Sequence, residues 1–600
     1  MARVLLVALV ALTGVAAAQA PAEPPTPAPT PAPTPAPSPA PSQDAQRPAA
    51  SSEEVTEEID ARVEAAKREM REELRAQLAT QAAAKGWEEE WVEQTRRLEL
   101  FEIDGYFRTR PDLFHRFDLN RDPDPSGFRL FPRPPTGERE RTMAGVNMRL
   151  RLEPTINVSE EVRVKLQVDA LDNILFGSTP LYAKSRDPRY DFGVFNETQM
   201  PPEQGVNAFR DSIRVKRAYG EVSTPVGILR FGRMGSHWGL GMLHNDGNGL
   251  DSDYGNTVDR FQFVTEPFTG WYVAPMIDFD VEGPSSEAQN QQGQFYDLSN
   301  TDDAHSYILA IARRDTPMQE KAKLENGLSV LNYGVHFSYR TQRYDAVGWA
   351  NPNTAPNDTS SFIPRRATLY IPDVWAKFER KDFRIELEAA AVLGNIENAA
   401  RSPAEVDTAG GVLVRQFGAV LQGEYRLMDG QLKLGLEGGY ASGDRQPGFG
   451  NRPGRGGNLP GGLPGNNSID GPQYADGAIR NFRFNRDYRV DAILFRELID
   501  GVTDAVYVKP TVTYSVAEGF DIYGSVVGSG ALYVESTPSQ SDRLLGVELN
   551  AGARYLTEDG FVASVQYAIL FPQKGLANVG AQPVDLENAQ ALRAIIGVRF

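Results

Sequence analysis

The chain of 600 residues contains no cysteine. That excludes a disulfide framework, a thiolate metal site and a lipid-bearing N-terminal Cys. Beyond residue 20 no apolar run approaches the roughly 18 residues that a membrane-crossing helix needs, which excludes a helical transporter. Bases are the minority charge, 62 against 80 acids for a net −18. Nucleic-acid binding needs clustered Lys and Arg, so no nucleic-acid partner is expected. Five histidines and the lack of a Gly-rich phosphate loop leave little for catalysis, so the chain reads as a non-enzyme with no cofactor. Plentiful turn formers, 55 Gly and 42 Pro, stand in place of a helical composition.

Three segments precede the main body. Residues 1–18 read as a signal peptide, with Met1-Ala-Arg3, the apolar run Val4 to Val15, and small residues ending at Ala18. Residues 19–50 form a Pro-rich linker in which 12 of the 28 residues from Pro21 to Pro48 are Pro. Such repeats favour extended polyproline II and build no core. Residues 51–100 read as an amphipathic helix or coiled coil. Ser52 is its N-cap, acids fill its first turn, and Val55, Ile59, Val63, Ala66, Met70, Leu74 and Leu78 make one apolar stripe. This helix is expected in the periplasm, either as a solvated spacer or as the contact for the cell wall or a helical partner.

From Ile103 the apolar period changes from 3.6 to 2. Val146 to Leu152, Val162 to Asp169, Leu331 to Tyr339, Phe383 to Ala389 and Leu545 to Tyr555 alternate apolar and polar residues. With flanks they run about 9 to 12 residues, the length of a tilted bilayer-crossing strand rather than the five or six of a soluble sandwich. Short turns alternate with long polar links. Nineteen candidate strands follow, of which Tyr488–Glu497 breaks the rhythm and is assigned to a long loop. Residues 101–600 are therefore read as an all-β transmembrane antiparallel barrel of 18 strands, with 16 as the alternative, in the outer membrane of a Gram-negative cell.

The last strand carries a signal of its own. Leu592, Ala594, Ile596, Val598 and Phe600 form one apolar face ending on a terminal aromatic, as in clients of the barrel-assembly machinery. Aromatics near strand ends, Tyr106, Phe107, Tyr219, Trp238, Trp271, Tyr272, Trp375 and Tyr425, are expected in interfacial girdles.

A charge facing mid-membrane lipid costs about 2 to 4 kcal/mol, so charges within strands are assigned inward. The inward bases include Arg108, Arg110, Arg149, Arg151, Arg163, Lys165, Arg214, Lys216, Arg230 and Arg384. The inward acids include Glu153, Asp169, Glu386 and Glu388. Counted over all strands there are 16 such bases against 9 acids. One reading is an electropositive conduit that concentrates anions; the other is a ladder of cross-strand ion pairs. The stretch His237 to Gly255 holds the oxygen ligands Asp246, Asn248, Asp251 and Asp253 for a candidate Ca²⁺ site, without EF-hand spacing. His244 beside Asp246 or Asp251 is the one residue to weigh for hydrolysis.

Four segments carry a resemblance: Phe101 to His115, Lys216 to Val222, Gly232 to Gly241 and Asn485 to Asp491. With them the chain resembles a delta-proteobacterial family of outer-membrane β-barrel proteins of uncharacterised function. More distantly it is similar to alginate-export-type porins. That similarity implies 18 strands and an Arg-rich lumen passing an anionic polysaccharide, with Arg108, Arg110, Arg149, Arg151, Arg214 and Arg230 as candidate lumen bases. The expected function is a porin-like channel for anionic solutes or saccharides. The alternatives are a structural or adhesive barrel with a plugged lumen and, more remotely, an outer-membrane hydrolase.

If the early arginines form an anion conduit, replacing Arg108, Arg110, Arg149 and Arg151 together shifts ion selectivity toward cations in planar-bilayer recordings. Unchanged selectivity removes that reading.

Overall fold

The computed structural model describes residues 100–121, 141–176, 213–281, 304–346, 362–398, 410–445, 448–449, 477–577 and 585–600. The signal-peptide, linker and helix assignments lie outside these residues.

The strands are β1 (Phe101–His115), β2 (Thr142–Asn157), β3 (Val162–Leu175), β4 (Ile213–Thr224), β5 (Gly227–Gly235), β6 (Thr257–Phe268), β7 (Trp271–Val281), β8 (Ala304–Arg313) and β9 (Val330–Ala346). Then follow β10 (Phe362–Arg380), β11 (Phe383–Ile396), β12 (Val412–Leu427), β13 (Leu432–Ala441) and the two-residue β14 (Ala478–Ile479). The last five are β15 (Ala505–Ala517), β16 (Phe520–Ala531), β17 (Leu544–Leu556), β18 (Phe561–Pro572) and β19 (Ala589–Arg599). Each long strand pairs antiparallel with its neighbours in sequence, β13 pairs with β15, and β1 pairs with β19 from Tyr106↔Arg599 to His115↔Gln590. The result is a closed barrel of 18 strands. Closure leaves no free edge, which bilayer insertion demands. β14 lies parallel to β12 and belongs to the loop that follows β13. Residues 488–497 lie in that same loop, where Leu494–Leu498 forms one π-helical turn.

Alternation decides the two faces. Leu592, Ile596, Val598 and Phe600 point outward at 41–54% exposure, and Ala594 shares their strand face. Leu309, Ile311, Val335, Phe337, Leu549 and Val565 are likewise exposed on the outer surface. The aromatics divide. Phe107, Trp271 and Tyr425 face outward. Trp375 instead faces inward at 6% exposure and donates its indole N–H to Glu386 Oε1 at 2.8 Å. Tyr106 is also inward and buried, Tyr219 lies on the inner face of β4, and Trp238 packs inside the barrel. The parity of each strand overrides the aromatic character of the side chain, because a buried Trp or Tyr needs only one partner for its polar atom.

Short turns join the strands at one end. Gly560, at φ +83°, sits where a Cβ would strike the carbonyl oxygen of Arg599, so the β17–β18 turn requires glycine. The β8–β9 connection holds the helix α1 (Pro317–Glu325), started by a capping box between Thr316 and Gln319. Lys323 Nζ binds Asp315 at 3.0 Å and Lys377 Nζ binds Glu320 at 3.2 Å, tying the helix to β10.

Among the described residues the interior holds three apolar clusters, the smallest made of Tyr106, Leu250 and Val562. At the long-link end, Phe114, Met143, Ala441, Ala505, Leu545, Leu570 and Ala589 of the wall meet Phe482, Phe484, Ile493, Leu494 and Phe495 of the 477–504 loop. Gly418 of β12 admits the Phe482 ring, which a Cβ there would strike. A smaller cluster joins Ala274, Met276, Ile308 and Ala310 to Trp238.

The face assignment has a direct test. Leu549→Arg, outward in β17, lowers unfolding free energy in lipid vesicles by about 2 to 4 kcal/mol, whereas the inward Ser525→Arg is tolerated. Equal losses in urea titration would contradict it.

Candidate functional site

The inner faces of β1 and β2 carry alternate arginines. Arg108, Arg110 and Arg149 are at most 1% exposed and Arg151 is at 4%. A guanidinium at such depth needs a carboxylate and further hydrogen bonds to offset its lost hydration. Part of that comes from β3: Arg149 Nε meets Asp172 Oδ1 at 2.6 Å, and Arg151 meets both oxygens of Asp169 at 2.6 and 2.8 Å. The rest comes from outside the strands. The 236–256 loop turns into the lumen and delivers Asp253 to Arg108 Nη2 at 3.0 Å, Arg149 Nη2 at 2.7 Å and Arg110 Nη1 at 2.7 Å. Asp251 of the same loop binds Arg110 at 3.1 Å and Arg496 at 2.5 and 2.7 Å. Arg593 of β19 binds Asp112 and, at 3.0 Å, Glu497. With Asp487 and Arg489 included, seven arginines face seven carboxylates. Burial pushes Asp253 up, but Arg110, Arg108 and Arg149 more than reverse this and hold it well below the usual carboxylate range.

Opposite the arginines, Glu388 of β11 takes the other end of the 236–256 loop. Its carboxylate accepts the backbone amides of Leu240 at 2.5 Å, Leu243 at 3.2 Å and Met242 at 3.3 Å. Gly239 and Gly241 have positive φ in this tight turn. The loop is thus anchored to the wall on both sides. The 477–504 loop packs on it: Asp487 accepts the amides of Asp253 and Tyr254 at 3.0 and 2.8 Å, and Asn485 donates its amide to the Met242 carbonyl at 2.7 Å. Arg486 stacks on the Tyr254 ring, 3.5 Å from its centroid. Three of the four resemblance-bearing segments, 101–115, 232–241 and 485–491, join directly in this assembly. Arg217 of the fourth, 216–222, reaches the Asp246 carbonyl and Asn248 Oδ1.

Of the other inward assignments, Lys165 and Arg230 both reach Glu221, at 3.8 and 2.8 Å, and Arg384 pairs with Glu386 at 2.9 Å. Glu153 accepts from Gln167. Arg163 and Arg214 lie in exposed positions near opposite ends of β3 and β4. Lys216 is half-buried near Asp169 and Asp172. Arg217, absent from the sequence-based inward set, is the buried base of β4 at 8% exposure. A register shift between Gln167 and Val168 puts Gln167 opposite Arg217 and Val168 opposite Val215. The bulge inserts Lys216, so parity counted along β4 alone misses Arg217.

The candidate cation ligands have other partners. Asp251 and Asp253 bind guanidinium groups, and Asp246 and Asn248 bond each other at 2.6 Å. His244 is buried with its ring 5.0 Å from that of His336, and burial lowers its pKa to about 4. It is a neutral packing element of the loop.

Two polar cavities flank the assembly. One, of about 300 Å³, is lined by Arg384, Lys433, Glu437, Arg489, Asp491, Arg496, Lys509, Tyr523, Ser525, Asn550 and Gln566. The other, of about 310 Å³, is lined by Asp104, Glu153, Lys165, Gln167, Arg217, Tyr219, Arg230, Asn248 and Gln262.

A closed antiparallel barrel, apolar outside and ion-paired inside, defines a transmembrane β-barrel of the outer-membrane class. The sequence matches no family model and no curated protein. Among solved structures it is similar to OccK9 (OpdG) of Pseudomonas aeruginosa, at 12% identity and TM-score 0.44 over 84% of this chain and 99% of that one. OpdK of the same organism, solved with vanillate, aligns at 10% identity and TM-score 0.41 over 83% and 98%. A BenF-like porin from Pseudomonas fluorescens Pf-5 aligns at 7% identity and TM-score 0.41 over 83% and 98%.

Removing one partner of a buried ion pair leaves the others uncompensated, at a cost of about 3 to 5 kcal/mol. Asp253→Asn therefore lowers the thermal midpoint of the refolded barrel and exposes the 236–256 loop to protease. An unchanged midpoint with an intact loop would show that Asp253 does not hold it.

Proposed function

We propose that the protein is a constricted outer-membrane channel for small polar solutes, with anionic solutes and saccharides as its substrate class. The observation that carries this reading is the pair of polar cavities beside the inward loops. A barrel serving only as an anchor has no need of walls bearing Lys433, Lys509, Arg489, Asn550 and Gln566 around about 300 Å³ of space. Opposed charges with amide and hydroxyl groups suit hydrated, hydroxylated solutes.

The alginate-export resemblance would place an anionic polysaccharide against Arg108, Arg110, Arg149 and Arg151. Asp253 of the loop takes the Arg108, Arg110 and Arg149 guanidinium groups, and Arg151 pairs with Asp169 of β3 and the Gly247 carbonyl, so a polymer reaches them only after the 236–256 loop moves. In this reading the signal peptide exports the chain, the terminal strand through Phe600 engages the assembly machinery, and residues 51–100 stand in the periplasm, available to the cell wall or a helical partner. A second reading, a structural or adhesive barrel with a filled lumen, is favoured by the apolar cluster around Phe482, Phe484, Ile493 and Phe495.

Conductance separates the two. The refolded channel gives stable ohmic steps with weak ion preference, because the buried charges balance. Asp251→Asn removes one acid from the balanced set and raises the Cl⁻/K⁺ permeability ratio. A barrel silent at every voltage favours the filled reading.

A further inference from the structure

The 477–504 loop is seated through buried carboxyl groups that accept its backbone amides. Glu548 of β17 is 1% exposed and accepts the backbone amides of Ala492 at 2.8 Å and Leu494 at 3.0 Å. Asp491, one residue before Ala492, is 6% exposed and accepts the amides of Phe495 at 3.0 Å and Arg496 at 3.1 Å. Between them the two carboxyls hold the start of the π-helical turn Leu494–Leu498. The charged and titratable groups acting on Asp491 are Glu548 from β17, Lys509 from β15 and Arg496 of the loop itself. Asn550, two residues along the inner face of β17, adds a neutral amide. The far end of the loop repeats the pattern. Asp504 is fully buried, accepts the Ser536 hydroxyl on one oxygen, leaves the other without a partner, and faces Asp444 and Glu535. Buried carboxyls gathered around one short loop segment resist joint ionisation.

We propose that the Asp491–Glu548 pair is a proton-operated seat for the constriction: proton uptake holds the 477–504 loop in the lumen and proton loss frees it. The channel is then tighter in mild acid than at alkaline pH.

Linkage gives the direction. Burial outweighs the amides and cations around Asp491 and pushes it up to about 6. Burial with Asp444 and Glu535 pushes Asp504 up to about 7. A carboxyl freed into water titrates near about 4. The seated loop therefore binds protons that the released loop loses, so its stability is greatest below the free value and declines as pH rises through 6 to 7. Asp253, held far below this range, and His244, at about 4, do not change charge within it.

This inference rests on the channel reading for its consequence and not for its test. The full chain, refolded, is followed by hydrogen–deuterium exchange of residues 486–500, corrected for intrinsic rates, and by single-channel conductance at pH 5, 6.5 and 8. Exchange in this segment is expected to accelerate by about tenfold or more between pH 5 and 8, with conductance rising in parallel. Asp491→Asn and Glu548→Gln remove the proton of the pair and diminish both profiles to the part that Asp504 contributes, while Glu548→Asp keeps them. Flat exchange in the unmodified protein, or a pH step of undiminished size in both amide variants, overturns the seat. An exchange step in a barrel that never conducts keeps the seat and discards the channel. Conductance without the exchange step does the reverse.

Discussion

Everything inside the barrel depends on the pairing of strand arginines with loop carboxylates. Arg108, Arg110 and Arg149 sit where hydration is largely lost, and their charges are tolerable only because Asp253 and its neighbours come to meet them. Mutual attraction strengthens as water is excluded, yet so does the penalty for any partner that fails to arrive. The arrangement is stable when complete and costly when partial. This gives the inward loops a defined position despite a Gly- and Asn-rich sequence that would otherwise turn freely in water.

The second constraint is the wall. An 18-stranded barrel encloses more space than side chains alone fill, and two loops from the long-link end occupy part of it. Their seating uses opposite chemistries on opposite sides. Guanidinium groups of β1 and β2 grip loop carboxylates, while Glu388 and Glu548 grip loop amides. Anchoring through backbone amides leaves the loop side chains free to differ, and anchoring through carboxylates selects particular residues. The interior is therefore partitioned into an ion-paired bar, an apolar cap and two polar-lined cavities.

Strand parity made most of the architecture readable. The alternation in Val146 to Leu152 and Leu545 to Tyr555, the short turns, and the assignment of residues 488–497 to a loop all follow from spacing that each strand carries locally. Closure at 18 strands follows from the same evidence. Parity assigned Arg108, Arg149, Asp169 and Glu388 inward, and the structure buries all four. It failed at β4, where the bulge opposite Gln167 and Val168 brings Arg217 inside. Trp375 shows a different failure: its aromatic character suggested a girdle although Val374 and Phe378 had already claimed the outer face of β10.

The sequence alone determined that these strands cross a bilayer and which side chains turn toward lipid, because alternation is a property of consecutive residues and survives without knowledge of the whole. Counting inward charges strand by strand gave an excess of bases and left open whether they form an electropositive conduit or a ladder of ion pairs. Only the tertiary structure decided that this charge is balanced, since Asp253 lies 145 residues from Arg108 and belongs to no strand. Electrostatic pairing acts through space, and no period along the chain reports which distant carboxylate a loop will carry into the barrel.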